Sequence, residues 1–328
     1  MNIFSRVRRR TGVEVATHEL TGALGDSVTV LPIVVAVAAL TDLSLPQLLL
    51  GFGVFQIVWG IYYGLPISVE PMKALAALVI AGGLTAAELG VAGLAAGAVL
   101  LVVGTTGTLS RVEAYLGRPV IRGVQVAVGL VLLETGFQLS VDAPVYAVAA
   151  LAIVGVSVAA GRRRLSALVV LAVGAAVAVA TAGVPEPQLP TIGIGFPGAT
   201  AVSGDAVGAT AAQLAMTVGN AAVATSLLLS DYYDAEVSPD DLAISMGAMN
   251  LLAVPFGALP MCHGSGGVAG KYAVGARTAG ANLILGVVFG GGGVGWGCVG
   301  GGVSALVVVV HLGGVRVTTL WAGACEHG

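Results

Sequence analysis

Charge is what this sequence lacks most. Only 9% of its 328 residues are Asp, Glu, Lys or Arg, against a hydrophobic share of 57% and a mean hydropathy of +0.98. A soluble domain carries about a quarter charged residues, so water is not the main solvent of this chain. Cysteine is scarce as well. Cys262, Cys298 and Cys325 show no CxxC spacing, which argues against a disulfide framework. No GxxxxGK[ST] motif is present, so the chain is not expected to hydrolyse ATP itself. The opening MNIFSRVRRRTG lacks an apolar stretch directly after its arginines, so it reads as a cytosolic tail rather than a cleavable signal peptide. The net charge of −3 singles out no partner, and nucleic-acid binding has no support because topology explains the few basic residues.

What is there is a succession of apolar stretches of roughly 20 residues, the length a helix needs to cross the hydrocarbon core. A closed barrel would need alternating segments of about 10 residues, whereas these runs are continuous. The expected spans are 20–40, 46–63, 68–84, 88–107, 119–138, 144–160, 165–183, 206–229, 240–257, 260–272, 276–292 and 297–313. The expected fold is therefore an all-α polytopic membrane protein of about 10–12 transmembrane helices. The positive-inside rule supports the count. With Arg6, Arg8, Arg9 and Arg10 in the cytosol, the chain returns there at Arg111, Arg118 and Arg122, at Arg162, Arg163 and Arg164, and at Lys271 and Arg277. The loops assigned outside, 41–45, 139–142 and 181–204, carry no Lys or Arg.

A Pro/Gly-rich linker at 184–205 divides the chain into an N-terminal transmembrane half, 1–183, and a C-terminal half, 206–328. Each half has a polar span (Glu19 to Pro32, Gln213 to Ser230) followed by a short span that begins near a proline, Pro71 or Pro260. Interrupted segments at matching places in two halves point to an inverted repeat whose two broken helices meet at the bilayer midplane. The first half holds an odd number of spans, as inversion requires. Nine glycines among residues 290–302 weaken the final span as a helix.

Four stretches hold polar residues within the spans. In the first, Glu19, Gly22 and Asp26 share one helical stripe, and acids inside a span should face the bundle or a wet cavity. Asp26 is the candidate site residue, and hydrogen bonding between helices is the alternative role. In the second, Glu70, Met72 and Lys73 flank the proline that opens the short helix. A helix N-terminus with free N–H groups suits an anion, and Lys73 adds a full positive charge that Glu70 or a bound anion must balance. Lys73 is read as the only lysine buried well within a span. A Glu70–Lys73 ion pair that merely ties helices together is the alternative. The third stretch offers Asn220 among small residues that also serve close helix packing. The fourth, Cys262, His263, Gly264, Ser265 and Gly266, places a glycine-rich first turn at the second short helix, which close packing alone would also explain. Bulky side chains at Gly264 or Gly266 are expected to block access. Cys262 and His263 have no companion ligands at usable spacing, so no metal is expected. Ser265 has no base and acid set beside it, so no catalysis is expected.

Together GALGDSVTVLP (22–32), VEPMKALAA (69–77), GNAAVATSLLLSD (219–231) and MNLLAVPFGALPMCHGSGGVAGKYAVGAR (249–277) resemble the molybdate transporter family, itself similar to the sulfate permease superfamily. That resemblance implies secondary uptake of molybdate across the plasma membrane, with sulfate, tungstate, another small anion or a nucleobase as alternatives. The family pattern often has Gln where this chain has Glu70. A carboxylate there repels an oxyanion unless it is protonated or paired with Lys73. Expected partners are the oxyanion, the lipid bilayer and protons coupled through Glu70, Asp26 or Glu134, with a homodimer left open; no cofactor is expected. The rival class is an intramembrane enzyme holding Mg²⁺ at Asp231 and Asp234, for which a second acidic cluster is missing.

Overall fold

Helix boundaries follow the apolar runs closely. The computed structural model describes residues 12–109, 137, 141, 144–162, 166–182 and 193–295. The expected spans at 119–138 and 297–313, Glu134, the cations at 111–122 and most of the linker lie outside those residues. In chain order the elements are α1 (Thr17–Leu40), α2 (Leu45–Tyr63), β1 (Val69–Pro71), α3 (Lys73–Ile80), α4 (Ala86–Thr106), α5 (Pro144–Ala159) and α6 (Ser166–Ala182). There follow α7 (Gly204–Met216), a π-helical segment Thr217–Ala224, α8 (Thr225–Tyr233), α9 (Pro239–Ala253), β2 (Met261–His263), α10 (Ser265–Ala273) and α11 (Gly280–Gly295). Among the described residues, α2, α4 and the continuous run Gly204–Tyr233 are each long and apolar enough to cross a membrane, with α1 a fourth if its bent halves form one span.

The helix ends have local causes. Thr85 and Glu88 form a capping box at the start of α4, and Ser238 and Asp241 form another at α9, each satisfying backbone donors that the first turn leaves over. Helix α2 stops at Gly64, whose φ of 66° is left-handed, a conformation glycine adopts without a Cβ penalty. Pro32 lies inside α1. It lacks the N–H that the preceding turn would bond, which accounts for the bend near Ser27–Val30.

Packing reveals the repeat. Helix α2 lies along α11 and α4 lies along α9, the two most extensive interfaces, while α1 meets α10 and α7 meets α3. Each half thus lends helices to the other in reciprocal fashion. Small residues permit the approach. A Cβ on Gly53 of α2 would sit 2.7 Å from the backbone nitrogen of Gly290, and one on Gly247 of α9 would sit 2.6 Å from that of Leu101. In lipid, where apolar surface gains little from meeting apolar surface, such close contact is a main source of helix association.

The two short spans differ from expectation in one respect. Neither proline opens its helix: Pro71 ends β1, Pro260 precedes β2, and the helices begin at Lys73 and Ser265. The extended pieces beside the prolines, Val69–Pro71 and Met261–His263, are what pairs across the repeat.

Candidate functional site

Strands β1 and β2 run antiparallel with Val69 opposite His263, Glu70 opposite Cys262 and Pro71 opposite Met261. Glu70 and Cys262 hold equivalent places in the two halves. Shifting the chain by their separation carries α2 onto α9 and α4 onto α11 to within a few residues. The pseudo-twofold axis therefore passes through the Glu70–Cys262 pair, and α3 and α10 leave it in opposite directions with their N-termini close together.

Non-helical backbone at membrane depth is tolerated only when its polar groups are satisfied by protein or water, and here protein does it. The Met72 N–H donates to the Pro260 carbonyl at 2.8 Å and that of Gly264 to Ser68 at 3.4 Å. From α2, the Gln56 amide donates to the Val69 carbonyl at 3.1 Å. From α9, Asn250 brackets Met261, donating to its carbonyl at 2.6 Å and accepting from its N–H at 2.7 Å. Two donors, Lys271 Nζ at 2.8 Å and Asn282 Nδ2 at 2.6 Å, reach the Ile67 carbonyl.

A chain of charged groups runs through this crossing. Lys271 Nζ pairs with Asp26 Oδ2 at 2.9 Å, both side chains fully buried. Asp26 also accepts from Gln56 at 3.0 Å and from the Ser68 hydroxyl. The same hydroxyl lies 3.4 Å from Glu70 Oε1. Glu70 Oε1 accepts the Gly267 N–H at 2.7 Å, and Glu70 Oε2 pairs with Lys73 Nζ at 2.5 Å. Two ion pairs are thus joined through Ser68, and only Lys73, whose side chain is 29% exposed, reaches open space.

The residues singled out in the sequence divide into three groups. Asp26, Glu70, Met72 and Lys73 meet at the first helix end, and Gly264, Ser265 and Gly266 form the second. Asn220, on the π-helical segment, accepts from Ser265 Oγ at 2.7 Å, which ties that segment to the second end. Cys262 and His263 are buried in the strand. The imidazole donates from Nδ1 to the Ser68 carbonyl at 3.1 Å, and its Nε2 meets Ser245 Oγ at 2.7 Å. Both ring nitrogens are thereby used in holding the crossing together. Among the described residues no group of three His, Cys, Asp or Glu side chains is placed to hold a metal. Glu19 sits apart, accepting from the N–H groups of Arg277, Thr278 and Ala281 at the entry to α11.

Two expectations need correction. Lys271, read as a loop cation, is fully buried in the crossing, and Lys73, read as the only buried lysine, is the more accessible of the two. The helix ends are not wholly unpaired: Gln213 Oε1 accepts from the N–H groups of Ala74 at 2.9 Å and Leu75 at 3.4 Å, and Glu70 takes that of Gly267. Among the described residues the N–H groups of Lys73, Ser265 and Gly266 are left without a protein partner. The glycines of this turn differ in their surroundings: a Cβ on Gly266 meets open space, whereas one on Gly264 would overlap the Glu70 carboxyl and one on Gly267 would overlap Ser68 and Asp26.

Sequence reasoning passed over Ser68, Gln56, Gln213, Asn282 and the role of Lys271. Charge parity was the available signal. An acid at Asp26 inside a span calls for a cation, and lysine occurs in this chain only at 73 and 271.

The family profile described as "Molybdate transporter of MFS superfamily" matches residues 18–132 and 205–324. Molybdate transporter 2 of Arabidopsis thaliana is 30% identical over 329 residues, covering 83% of this chain and 70% of the relative. Molybdate transporter 1 of the same plant is 31% identical over 338 residues, covering 83% and 73%. Among solved structures, the transmembrane domain of a cyanobacterial bicarbonate transporter, BicA, superposes with a TM-score of 0.67 at 16% identity, covering 94% of this chain and 88% of that one. At that identity the likeness is one of fold.

Proposed function

Because the chain belongs to the molybdate transporter family, we propose that this multi-pass membrane protein is a secondary transporter that carries molybdate across the plasma membrane, with its N-terminus in the cytosol. The coarser statement, an anion transporter, rests on the family together with the transporter fold. One observation carries the finer reading: two helix N-termini of opposite direction converge beside a single accessible lysine, Lys73. A tetrahedral dianion has acceptors on every side, so it suits donors arriving from two directions. Lys73 would supply charge from α3, and the N–H groups of Ser265 and Gly266 would supply donors from α10, whose glycine leaves them unshielded. Lys271 has no such role, because Asp26 and Asn282 already hold its ammonium.

Sulfate and tungstate share the tetrahedral shape and are the runner-up substrates. Uptake of molybdate by liposomes containing the purified protein, with sulfate and tungstate as competitors, tests the reading. Saturable uptake that sulfate inhibits poorly supports molybdate. Uptake driven equally well by sulfate leaves an oxyanion transporter without molybdate preference, and no uptake of any of the three rejects the proposal.

A further inference from the structure

The carboxylate of Glu70 already occupies the place where an anion would be held. Its Oε1 takes the Gly267 N–H of the α10 first turn and its Oε2 takes the Lys73 ammonium. It is fully buried. An incoming dianion would meet a lysine that is already neutralised, with a fixed negative charge behind it. Such like-charge repulsion in a water-poor setting opposes binding unless a proton removes it.

A second observation concerns Ser68. Its single hydroxyl hydrogen lies within reach of two carboxylates, Asp26 Oδ1 and Glu70 Oε1, and it can serve only one of them. A proton on Glu70 Oε1 resolves the conflict. The new O–H donates to Ser68 Oγ, and Ser68 donates to Asp26. Lys73 then faces a neutral carbonyl oxygen and is released toward the open side.

We propose that Glu70 is a tethered anion that a proton displaces, so that the oxyanion binds together with one proton. The inference rests on the oxyanion reading above and adds its coupling. The proton comes from water on the side from which the anion enters, resides on the Glu70 carboxyl while the anion is bound, and returns to water when the anion leaves. The other titratable or charged groups facing Glu70 are Asp26 on α1, Lys73 on α3, Cys262 and His263 on β2, and Lys271 on α10. Asp26 keeps Lys271, Gln56 and Ser68 as partners throughout. Of the two acids, Glu70 is therefore the one whose charge is in competition with the ligand.

The test is molybdate binding by the purified full chain, titrated at several points from about pH 6 to about pH 8. In wild type the Kd is expected to rise with pH, approaching about tenfold per unit where Glu70 is ionised in the free protein, as one linked proton requires. Glu70→Gln keeps the shape and removes the charge, so its Kd is expected to stay flat and to match or better the acid wild-type value. A second measurement needs no variant: adding molybdate to weakly buffered wild-type protein at the upper end of the range should draw about one proton per anion from solution. If molybdate binds and wild type shows neither pH slope nor proton uptake, or if a folded Glu70→Gln keeps the slope, the tethered-anion proposal is wrong while the oxyanion reading stands. If neither protein binds molybdate, sulfate or tungstate at any pH, the oxyanion reading fails and this proposal with it.

Discussion

At the scale of single residues, the two lysines of this chain do opposite work. Lys271 is enclosed by Asp26, Gln56, Asn282 and the Ile67 carbonyl, and every one of those bonds joins α10 to another part of the fold. Removing one partner of a buried pair leaves the other charge uncompensated, which costs about 3–5 kcal/mol. Lys271→Met should therefore lower the unfolding midpoint in detergent sharply. Asp26→Leu combined with Lys271→Met should recover part of the loss, because the pair and not either charge is what the fold needs. Lys73→Met should move the same midpoint much less. Lys73 is partly exposed, and Glu70 retains the Gly267 N–H without it. Equal thermal losses for the two lysine variants would contradict this division.

At the scale of elements, most of the chain was legible and the crossing was not. Apolar length alone placed α1, α2, α4, α5, α6, the run from α7 to α8, and α9 within a few residues, because a span must match the hydrocarbon thickness. The short helices were legible as interruptions, through Pro71, Pro260 and the glycines after His263. Their pairing was not. Strands of three residues carry no periodicity to read, and their partners are amide side chains on α2 and α9 that look unremarkable in sequence. Lys271 was misplaced for a related reason. A helix that starts at mid-membrane ends near the far interface, and sequence does not reveal whether its last turn lies among neighbours or in water. The interfaces that hold the crossing are also element properties. Gly247 lets α9 touch the backbone of α4, with Gly97 O 2.8 Å from where a Cβ would stand. Gly247→Leu should separate those helices at a cost of about 1–3 kcal/mol or more, seen as a lower unfolding midpoint. Gly266→Leu, which enters open space, should leave that midpoint nearly unchanged.

At the scale of the whole molecule, the described helices form one inverted pair of units locked by exchange of partners, and α1 and the π-helical segment flank the crossing from opposite halves. The orientation proposed for that assembly, with the N-terminus in the cytosol, rests on the distribution of arginines. A cysteine placed at Pro187 should be labelled from outside by an impermeant reagent and one placed at Arg163 should not; the reverse pattern would invert the topology and the side from which the anion enters. A narrower proposal is that Lys73, at the crossing of α3 and α10, supplies the charge that holds the oxyanion. Its most direct test is an equilibrium titration of purified wild type and Lys73→Met with molybdate, at the acid end of the range used for Glu70 and with uracil as an uncharged control. A charge-assisted contact contributes about 1.5–3 kcal/mol. Lys73→Met, still folded, is therefore expected to bind molybdate roughly ten- to a hundredfold more weakly, with no uracil binding by either protein. A folded Lys73→Met that binds molybdate with wild-type affinity would contradict it.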